Sequence, residues 1–231
     1  MINLLKRKKS YKSSKLANKS EYLKLQYRTE PKEFLDSRLK IASSFTFIIP
    51  ELIKLGIHLP VNETIGINKG QLKANSIKIL DAGCRDGWTI EFLNSLGYND
   101  VIGVELFDEY VNYCNSLGRK AVKGDLHKLE FSDNSFDFVY CRHVLEHTLD
   151  PIAVINELLR VTKPKRAIYV SFPLENEPYG KHTIAISQPG DVREILGKVR
   201  HKFTEIYVDR TKAMPIIIPE GDEMIIFFCK Q

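Results

Sequence analysis

The sequence predicts an α/β fold: a doubly wound, seven-stranded, mostly parallel sheet with helices on both faces, preceded by an N-terminal helical extension. Three observations predict it. From Ile77 onward, short apolar runs alternate with amphipathic stretches of helix length, which is the rhythm of strand, crossover helix and parallel strand. A chain of 231 residues, 43% hydrophobic and 27% charged, can bury the core of one such domain. The first apolar run also ends in a turn with two glycines, and the second ends in an acid. These are the strand ends where ligands bind in open α/β sheets.

In chain order, residues 1–20 are Lys- and Ser-rich with little apolar periodicity and read as a basic flexible tail. Residues 21–76 read as a helical extension and connector. Apolar side chains from Tyr22 to Ile41 recur at three- and four-residue intervals, with Pro31 suited to a helix start. The apolar run Phe45 to Leu59 is interrupted by Pro50 and Gly56, which predicts two short helical pieces. Residues 77–231 form the sheet domain. Its strands are expected at Ile77 to Asp81, Val101 to Glu105, Lys120 to Lys123, Phe136 to Cys141, Ala167 to Phe172, Glu205 to Asp209 and Met224 to Cys229. The crossover helices are expected at Trp88 to Leu96, Phe107 to Leu117, Pro151 to Val161 and Asp191 to Lys198.

Charge is unevenly distributed. Residues 1–30 hold nine basic side chains against Glu21 and Glu30, a balance of +7, so the rest of a chain with net charge +5 carries −2. A nucleic-acid footprint is therefore confined to one end and is not favoured for the domain. Cys84, Cys114, Cys141 and Cys229 are far apart, without a C-x-x-C pair or clustered His, so no metal set and no disulfide framework is expected. The start of the chain lacks the apolar stretch of a secretory signal, and no run suffices for a membrane span. A cytoplasmic location is expected, with the oligomeric state open.

Chemistry is sought at the strand ends. The turn Asp81-Ala82-Gly83-Cys84-Arg85-Asp86-Gly87 leads from the first strand straight into a helix, where glycine permits a tight path and close ligand approach. Glu105 at the end of the second strand suits vicinal ribose hydroxyls, and Asp125 after the third suits an adenine amino group. With His143-x-x-Glu146-His147 after the Phe136-Asp137 strand, the set resembles the class I S-adenosylmethionine-dependent methyltransferases. The resemblance is particularly to their small-molecule branch, which includes the quinone-biosynthesis methylases, and it covers roughly residues 77–231.

The resemblance implies a Rossmann-like domain with S-adenosyl-L-methionine as cofactor. It implies that Asp81, Gly83, Cys84, Arg85 and Gly87 hold the amino-acid end of the donor. Glu105 and the adjoining Leu106 would take the ribose, and Asp125 and Leu126 the adenine. Arg142 and His143 would lie under the sulfonium and methionine portion. Arg85 departs from the family's loop, which usually carries a further glycine there. Methyl transfer is an in-line displacement that needs a base only when the acceptor must lose a proton. His143, His147 and His182 are the candidate bases, although His147 with Glu146 also suits a capping role before Asp150-Pro151. His127 and His201 read as surface residues. The long polar loop after the fifth strand places Glu175, Tyr179 and His182 on the acceptor side, and the extension suits a lid. The expected acceptor is a small molecule, sugar or lipid-like compound methylated on O, N or C. Two alternatives are a nucleic-acid methyltransferase tethered by the basic tail and a non-catalytic cofactor-binding partner subunit.

Overall fold

A computed structural model describes residues 41–42, 44–45, 48–56, 77–211 and 223–231. The expectations for the tail, and for the extension before residue 41 and across 57–76, lie outside the described residues. Seven strands form one sheet: β1 (Lys78–Ala82), β2 (Asp100–Glu105), β3 (Ala121–Lys123), β4 (Phe136–Arg142), β5 (Thr162–Pro173), β6 (Phe203–Thr211) and β7 (Glu223–Lys230). Their order is β3-β2-β1-β4-β5-β7-β6. Pairing is parallel from β3 to β5, while β7 runs antiparallel to both β5 and β6. The crossover helices are α1 (Trp88–Ser95), α2 (Asp108–Ser116), α3 (Pro151–Val161) and α4 (Pro189–Leu196). The chain winds outward from β1 to β3 and then returns to β4, so the switch point of the sheet lies between β1 and β4.

The central strands read as continuous apolar runs because both of their faces are covered. On one face Leu80, Val104, Val139, Ile168 and Val170 pack with Val154, Ile155 and Leu158 of α3 and Val192 of α4. On the other, Ile79, Phe138, Tyr140 and Tyr169 pack with Ile90 and Leu93 of α1 and Cys114 of α2. Helix starts follow local chemistry. Asp150 caps α3 by accepting from Ile152 N–H and Ala153 N–H at 3.1 and 3.0 Å, with Pro151 in the first turn. Asp137, buried in β4, is neutralised by Lys163 Nζ at 2.7 Å and Arg166 Nε at 3.5 Å.

The described part of the extension belongs to the second core. Phe45, Ile48 and Leu52 are fully buried there. Phe45 stacks on Tyr140 at 5.2 Å and meets Phe92 of α1 at 5.3 Å, and Tyr140 stacks on Tyr169 at 5.0 Å. Ser44 Oγ lies 3.1 Å from the Tyr140 hydroxyl. Trp88, half-buried at the start of α1, stacks on Phe92 at 5.3 Å. Pro50 does not separate two pieces. Helical backbone runs through it from 48 to 54 and ends at Gly56, whose φ is 77°. Proline's fixed φ is helical, and its chief local cost is one missing N–H. No helix among the described residues is long and apolar enough to cross a membrane.

Phe45→Ala should destabilise the fold by about 3–5 kcal/mol, the cost of a buried aromatic truncation. Denaturant unfolding monitored by circular dichroism checks this, and a change within ~0.5 kcal/mol would show that residues before 77 are not part of the core.

Candidate functional site

The glycine turn is held in place by backbone bonds. Gly83 N–H and Cys84 N–H both donate to Val104 C=O, at 2.9 and 3.1 Å, which ties the end of β1 to β2. Gly83, Arg85 and Gly87 all take positive φ, at 82°, 49° and 72°. Arg85 thus adopts the left-handed backbone that a third glycine would take freely, at a cost of ~1–2 kcal/mol. Its neighbours hold it there: Arg85 N–H donates to Glu105 Oε2 at 3.0 Å, and Arg85 C=O accepts from Cys114 Sγ at 3.1 Å. Gly83 is needed for space as well as for φ, since a Cβ there would stand 2.5 Å from Val144 Cγ2.

Three carboxylates line successive strand ends beside this turn. Glu105 Oε1 accepts from Leu106 N–H at 2.7 Å and Phe107 N–H at 3.3 Å, and burial raises the pKa of its carboxyl. Oε2, with one bond from Arg85, keeps a lone pair for a further donor. Asp81 is buried and its Oδ2 has no hydrogen-bond partner among the described residues. Burial first, and then the nearby charge of Asp86, push its carboxyl well up. Asp125 Oδ1 accepts from His127 N–H at 3.0 Å and contacts His127 Nδ1 at 2.6 Å. His127 Nε2 accepts from Asp150 N–H at 3.2 Å, so Nδ1 carries the proton toward Asp125. His127 is therefore no ordinary surface residue: it anchors Asp125. Leu126 is buried in the core beside it.

Beyond β4 the other expected residues separate into two groups. Arg142, with its side chain 8% exposed, is ion-paired with Glu223 at the start of β7. His143 has φ 52°, and its Nε2 lies 3.1 Å from Glu223 Oε1. Burial opposes ionisation of Glu223, but His143 and Arg142 outweigh it and hold the carboxyl at about 2. In the second group, His147 and His182 meet edge to face with ring centroids 4.7 Å apart, and His182 Nδ1 lies 2.7 Å from Glu175 Oε2. Burial, reinforced by His182 and His143, lowers His147 to about 4, which leaves its imidazole neutral near pH 7. Glu146 lies beside them, fully buried and pushed up to about 8 by burial. Its carboxyl therefore does not act as an exposed cap. Tyr179 is 79% exposed, and its C=O accepts from His182 N–H at 3.1 Å. Sequence reasoning missed Glu223, which follows no motif and reaches Arg142 only through the β5–β7 pairing, and left Glu146 out of the site.

Residues 80–170 match the family model for a methyltransferase domain. Over those residues the chain is similar to the methyltransferases. Its sequence is 38% identical over 101 residues to an uncharacterized methyltransferase of Schizosaccharomyces pombe, covering 38% of this chain and 36% of that protein. It is 29% identical over 131 residues to a ubiquinone biosynthesis O-methyltransferase of Hydrogenovibrio crunogenus, covering 53% of each. The chain thus spans about a third to a half of these relatives' lengths. The fold is similar to that of a SAM-dependent methyltransferase from Aquifex aeolicus, with a TM-score of 0.53 at 19% identity, covering 82% of this chain and 98% of that one.

The residues present fit S-adenosylmethionine, the cofactor that a methyltransferase domain implies. The buried, partnerless oxygen of Asp81 suits an ammonium group, and the remaining lone pair of Glu105 suits a hydroxyl donor.

Gly83→Ala should unfold or distort the turn, costing more than ~2 kcal/mol, whereas Arg85→Gly should be neutral or stabilising by up to about 1 kcal/mol as strain is relieved. Thermal unfolding of both variants checks the pair. Glu223→Gln should cost roughly 3–5 kcal/mol at pH 7, because it strands the buried Arg142. A carboxyl held at about 2, against an ordinary 4.5, stabilises fully above the ordinary value and loses that contribution as pH falls toward 2. The gap between parent and variant should therefore narrow across that window in pH-dependent urea unfolding.

Proposed function

We propose that the protein transfers the sulfonium methyl of S-adenosylmethionine to an O, N or C atom of a small-molecule, sugar or lipid-like acceptor. The observation that carries this reading is the strand-end array: a strained Gly83–Gly87 turn clamped to Glu105, with Asp81 and Asp125 at the neighbouring strand ends. In this reading Asp81 takes the donor's ammonium group, and the turn, including Cys84, Arg85 and Gly87, takes its carboxylate. Glu105 and Leu106 face the ribose, and Asp125 and Leu126 face the adenine.

The chain's own part in the chemistry is positioning. Displacement at a methyl carbon is accelerated by holding the acceptor atom ~3 Å away and in line with the leaving sulfur. Where the acceptor must lose a proton, His143 is the base. The Glu223 carboxylate beside its Nε2 favours the imidazolium that forms when it accepts the proton. Arg142 acts through Glu223, which it holds ionised. Glu175, His182 and His147 flank the acceptor side, with Tyr179 at its exposed rim. The ubiquinone relative's name supports a small organic acceptor. Cys84, Cys114, Cys141 and Cys229 are unbridged, in keeping with a reducing, cytoplasmic setting.

Calorimetric titration of the full chain with S-adenosylmethionine should show one site, and absence of binding overturns the reading. Glu105→Gln should weaken that affinity about tenfold or more, the worth of one charge-assisted hydrogen bond at ~1.5–3 kcal/mol. Turnover across a panel of acceptors, read as formation of the demethylated cofactor, separates an enzyme from a non-catalytic binding subunit.

A further inference from the structure

Glu146, His147 and His182 offer one ligand atom each, and these atoms all lie within 4.8 Å of one another. Three features show that the arrangement is built rather than accidental. The first is the Glu146 carboxylate: the residue is 2% exposed, and neither oxygen has a hydrogen-bond partner from another described residue. A buried carboxylate left without partners is costly unless a cation or donor completes it.

The second feature is His182. Its Nδ1 is engaged by Glu175 Oε2 at 2.7 Å, which leaves Nε2 as the nitrogen able to bind a metal. A carboxylate that orients a histidine from behind is the usual outer support of a metal-bound imidazole.

The third feature is the frame. Thr183 N–H donates to Glu146 C=O at 2.6 Å, and Thr183 Oγ1 donates to Thr148 C=O at 2.6 Å. Thr183 thus staples the loop that carries His182 onto the turn that carries Glu146 and His147. The same loop is closed at its ends, where Leu174 pairs with Ile186 and Glu175 N–H donates to Ile186 C=O at 2.8 Å.

We propose that Glu146, His147 and His182 form a binding site for one divalent metal ion of the zinc class, with Glu175 as the supporting carboxylate. Two imidazoles and a carboxylate are the ligand set that zinc takes while keeping a fourth position open. Tetrahedral ligands at ~2.0–2.1 Å from the metal stand about 3.3 Å apart, so closure asks for side-chain shifts of about an ångström. The sequence pattern alone hid this site, because His182 reaches Glu146 and His147 only through the long loop after β5. The proposal does not depend on methyl transfer.

Chelator-treated full-length protein is titrated with Zn²⁺ by calorimetry, and with Co²⁺ by visible spectroscopy. One equivalent should bind, and the cobalt spectrum should show N/O coordination without a thiolate charge-transfer band. His182→Ala and Glu146→Gln should each weaken Zn²⁺ binding by at least about tenfold, and Glu175→Gln, which removes no ligand, by roughly 10–100-fold. His201→Ala, outside the cluster, should leave it unchanged. No stoichiometric uptake, a cobalt–thiolate band, or equal affinity in all three cluster variants overturns the site. Should the two ligand variants fail to fold, Glu175→Gln decides alone, and unchanged affinity there overturns it. S-adenosylmethionine is titrated into the same samples: failure of that binding counts against the proposed function and leaves the metal result standing.

Discussion

The site depends on β1 being paired in parallel on both sides. Asp81 stands opposite Gly103 of β2 and opposite Tyr140 of β4, so one strand end faces both arms of the doubly wound sheet. Its last residues are buried on both faces and cannot shift without a register slip, which would turn every side chain to the opposite face. From that anchored end, Val104 C=O receives two turn N–H groups and Glu105 a third. The turn between β1 and α1 is therefore defined by backbone geometry, and side-chain chemistry is added to it.

A second theme is the number of ionisable groups taken out of water near the strand ends. Asp137 is neutralised on the spot by Lys163 and Arg166, and Glu223 by Arg142. Those pairs are structural in form: each charge meets its opposite within the fold. Asp81 and Glu146 differ, since each holds a buried carboxylate oxygen without a partner from another described residue and has a raised pKa. Buried groups left unsatisfied in an otherwise satisfied interior are where bound ligands are expected. The two lie at the ends of adjacent strands, Asp81 in β1 and Glu146 just after β4, on either side of the switch point.

Much of the fold was legible because its signals are local. All seven strands and four crossover helices overlap the stretches where periodicity puts them, although β5 begins at Thr162 rather than Ala167, since strands buried on both faces must be apolar and crossover helices must be amphipathic. Asp150-Pro151 announced the start of α3 for the same reason. Pro50 was misleading because a proline interrupts a helix only when its missing bond and ring clash outweigh packing, and Ile48 and Leu52 pack fully on either side of it. His127 was misleading because polar residues two apart read as surface, while its ring bridges Asp125 and the start of α3.

The sequence by itself determined the class of sheet, the turn after β1 and the acids at the ends of β1, β2 and β3, because each is encoded within a few consecutive residues. Only the tertiary structure decided that Arg85 takes the conformation expected of glycine, that Arg142 is engaged by Glu223, and that His182 meets Glu146 and His147. Those contacts join segments far apart in the chain. Strand order and loop closure, which no local spacing specifies, bring them together.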